Sequence, residues 1–295
     1  MPADRPSAMP APAASSRPAE PAPAAPAEPP SAAPPRPAVY PAPAAARRSR
    51  RALLRVGGYL AALAAIALGW QITALAINSP ALPTPIASVE MLIRYAPQLA
   101  PQLAISLYRV VISMLLGTAL AVPIGLAIGR SPRLDAVLAP ILYILYPIPK
   151  IVLLPVLLVL LGLADAPKIV LITITIFFQV LVTVRDAARA VPEQAVLSVR
   201  SLGARRWDVY RHVVVPATLP ELFTALRISS GTAVAILFFA EAIAGSSGLG
   251  YFIVDSWAMI AYPRMFAGII AMAMMGVVLY EVIDALERHF TRWRG

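Results

Sequence analysis

The chain has 295 residues, of which 59% are hydrophobic and 14% charged, against about 25% charged in ordinary soluble domains; this excludes a water-soluble globular protein and points to a membrane one. The formal charge of +10 does not mark a nucleic-acid binder, because the arginines cluster beside the ends of apolar runs, where they set orientation. With no Cys and only His212 and His289, disulfide and thiolate chemistry are excluded, and neither a metal centre nor another cofactor is expected.

In chain order, residues 1–50 are mostly Pro, Ala and Ser. Without a periodic apolar face they cannot offset the entropy of ordering, so they read as a disordered cytoplasmic tail. Residues 51–100 carry a first transmembrane helix and a periplasmic connection. Val56–Ile77 runs without a charge and, at about 1.5 Å per residue, is long enough to cross a hydrocarbon core of about 30 Å. Arg47, Arg48, Arg50, Arg51 and Arg55 precede it and hold its start inside the cell. A twin-arginine signal is the rival reading of Ser49–Arg55, but the run exceeds the usual 7–15-residue signal core and further spans follow.

Residues 101–295 hold five more apolar segments: Leu103–Ile128, Ala136–Leu161, Ile169–Val184, Phe223–Ala244 and Phe266–Ile283. Six crossings place both termini on one side. The basic residues argue that this side is the cytoplasm, since only Arg94, Arg109, Lys168 and Arg264 fall on the other. Gly117, Ala121, Gly125 and Gly129 stand four apart, a ladder of small side chains that lets another helix approach. Packing within the subunit and a dimer face are both open, with the former favoured. Pro140, Pro147, Pro149 and Pro155 crowd the third segment; missing backbone donors predict a bent helix shielded by protein or facing a cavity.

Between the fourth and fifth segments, near 185–221, lies a polar island. It reads as a helix ending at Gly203, a second helix carrying Trp207, Tyr210 and Val213 on one side, and a stop at Pro216 and Pro220. A plain amphipathic headgroup helix would have no need of Gly203 and the paired prolines. The island resembles the cytoplasmic coupling loop of ABC-importer permeases: Glu-Ala-Ala, three residues, Gly, nine residues, then Ile-x-Leu-Pro. Gly203 and Val213-Val214-Val215-Pro216 fall at the matching spacing. The Glu-Ala-Ala positions hold Leu197, Ser198 and Val199 instead, and Glu193, one turn earlier, is the candidate replacement for the missing acid.

Other stretches resemble the branch of this family serving nitrate, sulfonates, taurine, bicarbonate and pyrimidine precursors. They include Leu82-Pro83-Thr84-Pro85, Ser106–Val110, Pro147–Ile151, Pro167–Ile169, Leu219-Pro220, Leu226–Ile228, Ala240-Glu241 and Gly248–Tyr251. The resemblance implies an all-α type I ABC importer permease fold of about six transmembrane helices in the inner membrane. It also implies two ATPase subunits, a second permease copy as a homodimer, a periplasmic or lipid-anchored substrate-binding protein and surrounding lipid as partners, with no nucleic acid. ATPase coupling would fall to Glu193, Leu197, Ser198, Val199, Gly203, Ala204, Trp207 and Pro216. The residues agree that ATP hydrolysis lies elsewhere: only Lys150 and Lys168 exist and neither follows a glycine, so no phosphate-binding P-loop is present. A small anionic solute is the expected cargo, and a channel or secondary transporter is the alternative.

Arg109, Lys150, Gln179 and Glu241 are the candidate pathway residues, because ionisable and polar groups at membrane depth face a cavity or a partner. Lys150 either attracts an anionic substrate or satisfies carbonyls freed by its neighbouring prolines. Glu241 gates the outer mouth or, more simply, pairs with Arg109 or Lys150. Gln179 and Thr183 line the pore or join helices. Gly245–Tyr251 is not a nucleophile elbow, because no histidine stands near it; it reads as an entry to a short outer helix around Phe252–Met259. Isolated carboxylates and sparse histidine argue against a membrane-embedded enzyme.

Overall fold

A computed structural model describes residues 44–292; of residues 44–56, 59 and 60 only the backbone is described. The expected tail therefore lies outside the described residues as far as 43, and the helix that follows already takes up residues 44–50. In chain order the helices are α1 (Ala44–Ile77), α2 (Pro85–Arg94), α3 (Ala96–Arg130), α4 (Pro132–Leu145), a 3-10 turn (Lys150–Leu153), α5 (Leu154–Leu161), α6 (Ala166–Ala190) and α7 (Glu193–Ser201). They continue with α8 (Arg206–Val209), a π turn (Tyr210–Val214), α9 (Val215–Ala244), α10 (Leu249–Ala258) and α11 (Tyr262–Phe290). No strand occurs among the described residues, as lipid requires of an open chain that must satisfy its own backbone.

Among the described residues, four units are each long and apolar enough to cross a membrane: α3, α6, the run from Arg206 to Ala244, and α11. The third expected segment is two helices, α4 and the stretch Lys150–Leu161, bent by 81°. Its prolines supply the cause. Pro149 has no N–H for the Leu145 carbonyl four residues back, so the α ladder fails there. Lys150 Nζ takes over, donating to the carbonyls of Leu145 (2.8 Å) and Tyr146 (2.5 Å). In α1 the described apolar stretch is Ala61–Ile77; Trp70 stacks on Phe266 of α11 and donates to the Pro83 carbonyl at 3.0 Å.

The core forms where α3 packs along α6, α6 along α9, and α11 against α9, α10 and α2. Val110, Ala121, Ile172, Ile176, Val180, Val184, Ala233 and Leu237 are buried there. The small-residue ladder faces inward. A Cβ on Gly117 would lie 3.1 Å from Ile176, one on Gly125 3.0 Å from the Leu181 carbonyl, and one on Gly129 2.8 Å from the Ala188 Cβ. These glycines let α3 and α6 of the same chain touch backbone to backbone, the packing that lipid-solvated helices use in place of a hydrophobic drive. Leu63, Ile66, Leu115, Leu120, Val159 and Leu160 instead lie exposed on the outside, the surface that hydrocarbon solvates without cost.

Candidate functional site: a projecting knob and a buried latch

α3 separates two polar centres. Arg109 and Arg130 are 21 residues apart on it, about 31 Å, roughly one hydrocarbon thickness.

At the Arg130 end, α7 and α8 form the knob. Gly203, at φ +85°, adopts the left-handed conformation that a side chain resists. Its N–H bonds the Arg200 carbonyl at 2.9 Å while the Ala204 N–H reaches Val199 at 3.4 Å, the paired bonds of a Schellman termination. Arg205 N–H then bonds Asp208 at 2.9 Å, half of a capping box that starts α8. Val196, Val209 and Val214 are buried and pin the two helices together. Leu202 and Leu197 point the other way and are 85% and 54% exposed, while Trp207, 72% exposed, borders a hollow against the end of α3.

The expected stop at Pro216 and Pro220 does not occur. The helix starting at Arg206 runs to Ala244 as one unit of 39 residues. A π turn makes this possible: Val215 N–H bonds the Tyr210 carbonyl five residues back, so the ladder changes register where Pro216 would have broken it. Pro216 then occupies the first turn of α9, where its missing N–H matters little. Of the other expected coupling residues, Glu193 opens α7 on its exposed side, Ser198 donates to the Gln194 carbonyl at 2.8 Å, and Val199 is half-buried. His212 is exposed, its Nδ1 3.0 Å from the Asp208 carbonyl.

At the other end, Glu241 is fully buried and forms a latch with Arg109, itself 2% exposed. Arg109 donates to Glu241 Oε1 at 2.7 Å, to the Ser247 carbonyl at 2.9 Å, and through Nε and a terminal nitrogen to Asp165 at 2.9 and 2.6 Å. Ser106, one turn before Arg109, lies 2.9 Å from both Glu241 oxygens and accepts the Leu249 N–H at 2.8 Å. The Gly250 N–H bonds Glu241 Oε2 at 2.8 Å, and the Gly248 N–H bonds Gln102 at 2.6 Å. Three orphan amides at the start of α10 are thus met by α3 and α9, and the helix N-terminus adds its partial positive charge beside the carboxylate. Gly248, at φ +103°, and Gly250 leave room for that approach, since a Cβ on either would collide with the Glu241 side chain. The glycine-rich segment is therefore a seat for a carboxylate. α10 begins at Leu249, earlier than the expected Phe252.

The four expected pathway residues separate into two groups. Arg109 and Glu241 bind each other, whereas Lys150 is not Glu241's partner: it caps α4 and lies 4.9 Å from the Phe178 ring centre. Gln179 follows Phe178 and donates to Thr232 of α9 at 3.4 Å, joining helices, while its carbonyl oxygen lacks a partner. Thr183 bonds only its own helix, at the Gln179 carbonyl. Asp165, Ser247, Gln102 and the buried Lys168, which donates to the Leu163 and Ala164 carbonyls at 3.2 and 3.1 Å, were not singled out from sequence. Gly248 and Gly250 bracketing a helix start were the signal that a buried acceptor lay opposite.

Residues 121–294 match the family described as binding-protein-dependent transport system inner membrane component. The taurine transport system permease protein TauC of Escherichia coli (strain K12) is 32% identical over 84% of this chain and 92% of its own length. The putative aliphatic sulfonates transport permease protein SsuC of Bacillus subtilis (strain 168) is 31% identical over 74% and 80%. Among solved structures, an inward-facing conformation of the MetNI methionine ABC transporter aligns at a TM-score of 0.57 and 21% identity, covering 67% of this chain and 98% of the other. The fold is that of a type I importer permease, and the chain belongs to the family of binding-protein-dependent transport system inner membrane components.

Proposed function

We propose that this chain is the membrane-spanning subunit of an ATP-driven importer for a small anionic solute of the sulfonate or taurine class, with the α7–α8 knob and both termini in the cytoplasm. The observation that carries this reading is the knob itself. Leu197 and Leu202 present exposed apolar side chains on a rigid, capped element, the mark of a protein-docking surface. Because α8 continues without interruption into α9, a force applied there reaches the bundle instead of being lost in a loop. The arginine asymmetry supports the orientation. Two ATPase subunits, a second copy of the chain and a periplasmic or lipid-anchored binding protein complete the assembly, as in the family.

An anionic cargo suits Lys150, the one free-standing cation of the four pathway candidates. It retains one donor after capping α4, which can meet an oxygen of an anionic group. Arg109 and Glu241 hold the surrounding helices in place. The relatives named for taurine and aliphatic sulfonates support this cargo class.

The test is co-purification with the separately expressed ATPase. Leu202→Asp leaves the exposed site folded, so the unfolding midpoint stays unchanged, while complex formation falls by roughly ten- to a hundredfold, the worth of one buried leucine at an interface. Unchanged ATPase retention by Leu202→Asp and Leu197→Asp together would refute the assignment.

A further inference from the structure

The knob end holds a feature that the coupling role does not use. Between the α3–α4 turn and the α7–α8 pair lies a cavity of about 520 Å³, within the size range of small-molecule sites. Arg130, Arg133, Arg200 and Arg206 line it, with Val196, Val209 and Val214 buried beneath them, and no carboxylate is among its lining residues. Among the described residues none of these four arginines enters a salt bridge. Arg130 is held in place by the carbonyls of Ala188 and Val191, at 3.5 and 3.3 Å. Four guanidinium groups around one hollow repel each other, and their planar donor forks match the oxygens of a phosphate.

A second hollow adjoins the first, sharing Tyr210. It measures about 610 Å³ and is lined largely by Val122, Pro123, Leu126, Ala127, Trp207 and Val215, at the end of the α3 span. A cationic hollow beside an apolar groove at the end of a membrane span has the shape of a site for an amphiphile. We infer that the arginine cavity binds a phosphodiester headgroup, that of an anionic lipid of the adjoining leaflet whose acyl chain lies along the apolar groove. Basic pockets between spans bind lipid phosphates through the same charge pairing. The inference rests on the orientation proposed above only for which leaflet supplies the lipid.

Native mass spectrometry of the purified full chain, presented with equal phosphatidylglycerol and phosphatidylcholine, tests it without any ATPase or transport step. Its outcome is therefore separate from that of the importer reading. The wild-type chain is expected to retain phosphatidylglycerol preferentially. Arg200→Gln with Arg206→Gln should reduce that retention about twenty-five-fold, at about fivefold per basic side chain. Arg94→Gln, an exposed arginine on α2, should leave it unchanged, and Arg200→Lys with Arg206→Lys, which keeps the charge without the planar fork, should give retention between that of the Gln variant and the wild type. Equal retention of the two lipids by the wild-type chain, a measurement that needs no variant, overturns the proposal. Displacement of the lipid by inorganic phosphate alone overturns the lipid source and assigns the cavity to a soluble phosphate compound. Wild-type lipid retention by the double Gln variant also overturns it, because the headgroup then sits elsewhere on the chain.

Discussion

Replacing Glu241 with Ala strands the Arg109 guanidinium, which is 2% exposed and keeps only Asp165 as a counter-charge. Removing one partner of a buried ion pair costs about 3–5 kcal/mol, because the remaining charge is left uncompensated. The same change orphans the Gly250 N–H that Glu241 accepts at 2.8 Å, which belongs to the same loss. Asp165→Asn gives the internal comparison. Asp165 binds the same arginine at 2.6 Å, but its side chain is 46% exposed, so water screens the charge and the cost stays below about 1 kcal/mol. Converting both partners, Arg109→Met with Glu241→Met, removes the desolvation penalty with the attraction and should be more stable than either single variant. The assay is equilibrium unfolding in mixed micelles, read by circular dichroism. Equal midpoint shifts for Glu241→Ala and Asp165→Asn, or two Met changes that add with no coupling, would rule out a buried, mutually compensating pair.

The α3–α6 contact makes a sharper prediction. Gly129→Val drives its side chain into the Arg185 carbonyl and the Ala188 Cβ and should cost at least about 1–3 kcal/mol by overpacking. Gly231→Ala on α9 meets nothing within 4 Å and should be neutral or stabilising by up to about 1 kcal/mol; the same unfolding assay ranks the two. At the knob, Gly203→Val must place a β-branched residue at φ +85°, a strain of about 1–2 kcal/mol. In the assembled importer it should lower substrate-stimulated ATP hydrolysis at unchanged ATPase binding. A normal stimulation ratio would mean that the turn's geometry does not matter.

The sequence made the latch legible in outline and its construction invisible. A carboxylate deep in an apolar run calls for a cation, so a partner for Glu241 was expected, but Arg109 and Lys150 were equally open from sequence. Asp165 and Ser247 sit in connections whose position depends on the fold, and nothing local marks them. The four prolines of the third segment foretold a bend, because each removes a donor at a known place; the 81° angle depends on how Lys150 caps the broken end. Pro216 and Pro220 misled for a related reason. Reading them as a stop assumes that the hydrogen bonds keep their four-residue register, and the π turn before Pro216 abandons it. The inward-facing glycine ladder of α3 was readable as a close contact, but its partner, α6, was not, since spacing alone does not say which helix approaches.

The uninterrupted run from Arg206 to Ala244 carries Trp207 near one tip and Glu241 near the other. At 39 residues it is about 58 Å long, so a rotation of roughly 5° about one tip displaces the opposite tip by about 5 Å. Because the far tip cradles the start of α10, whatever tugs the near one is felt by that short helix at once, with no relay between them. In the importer proposed above, a single rocker would thus tie events on the two faces of the bilayer to the same clock.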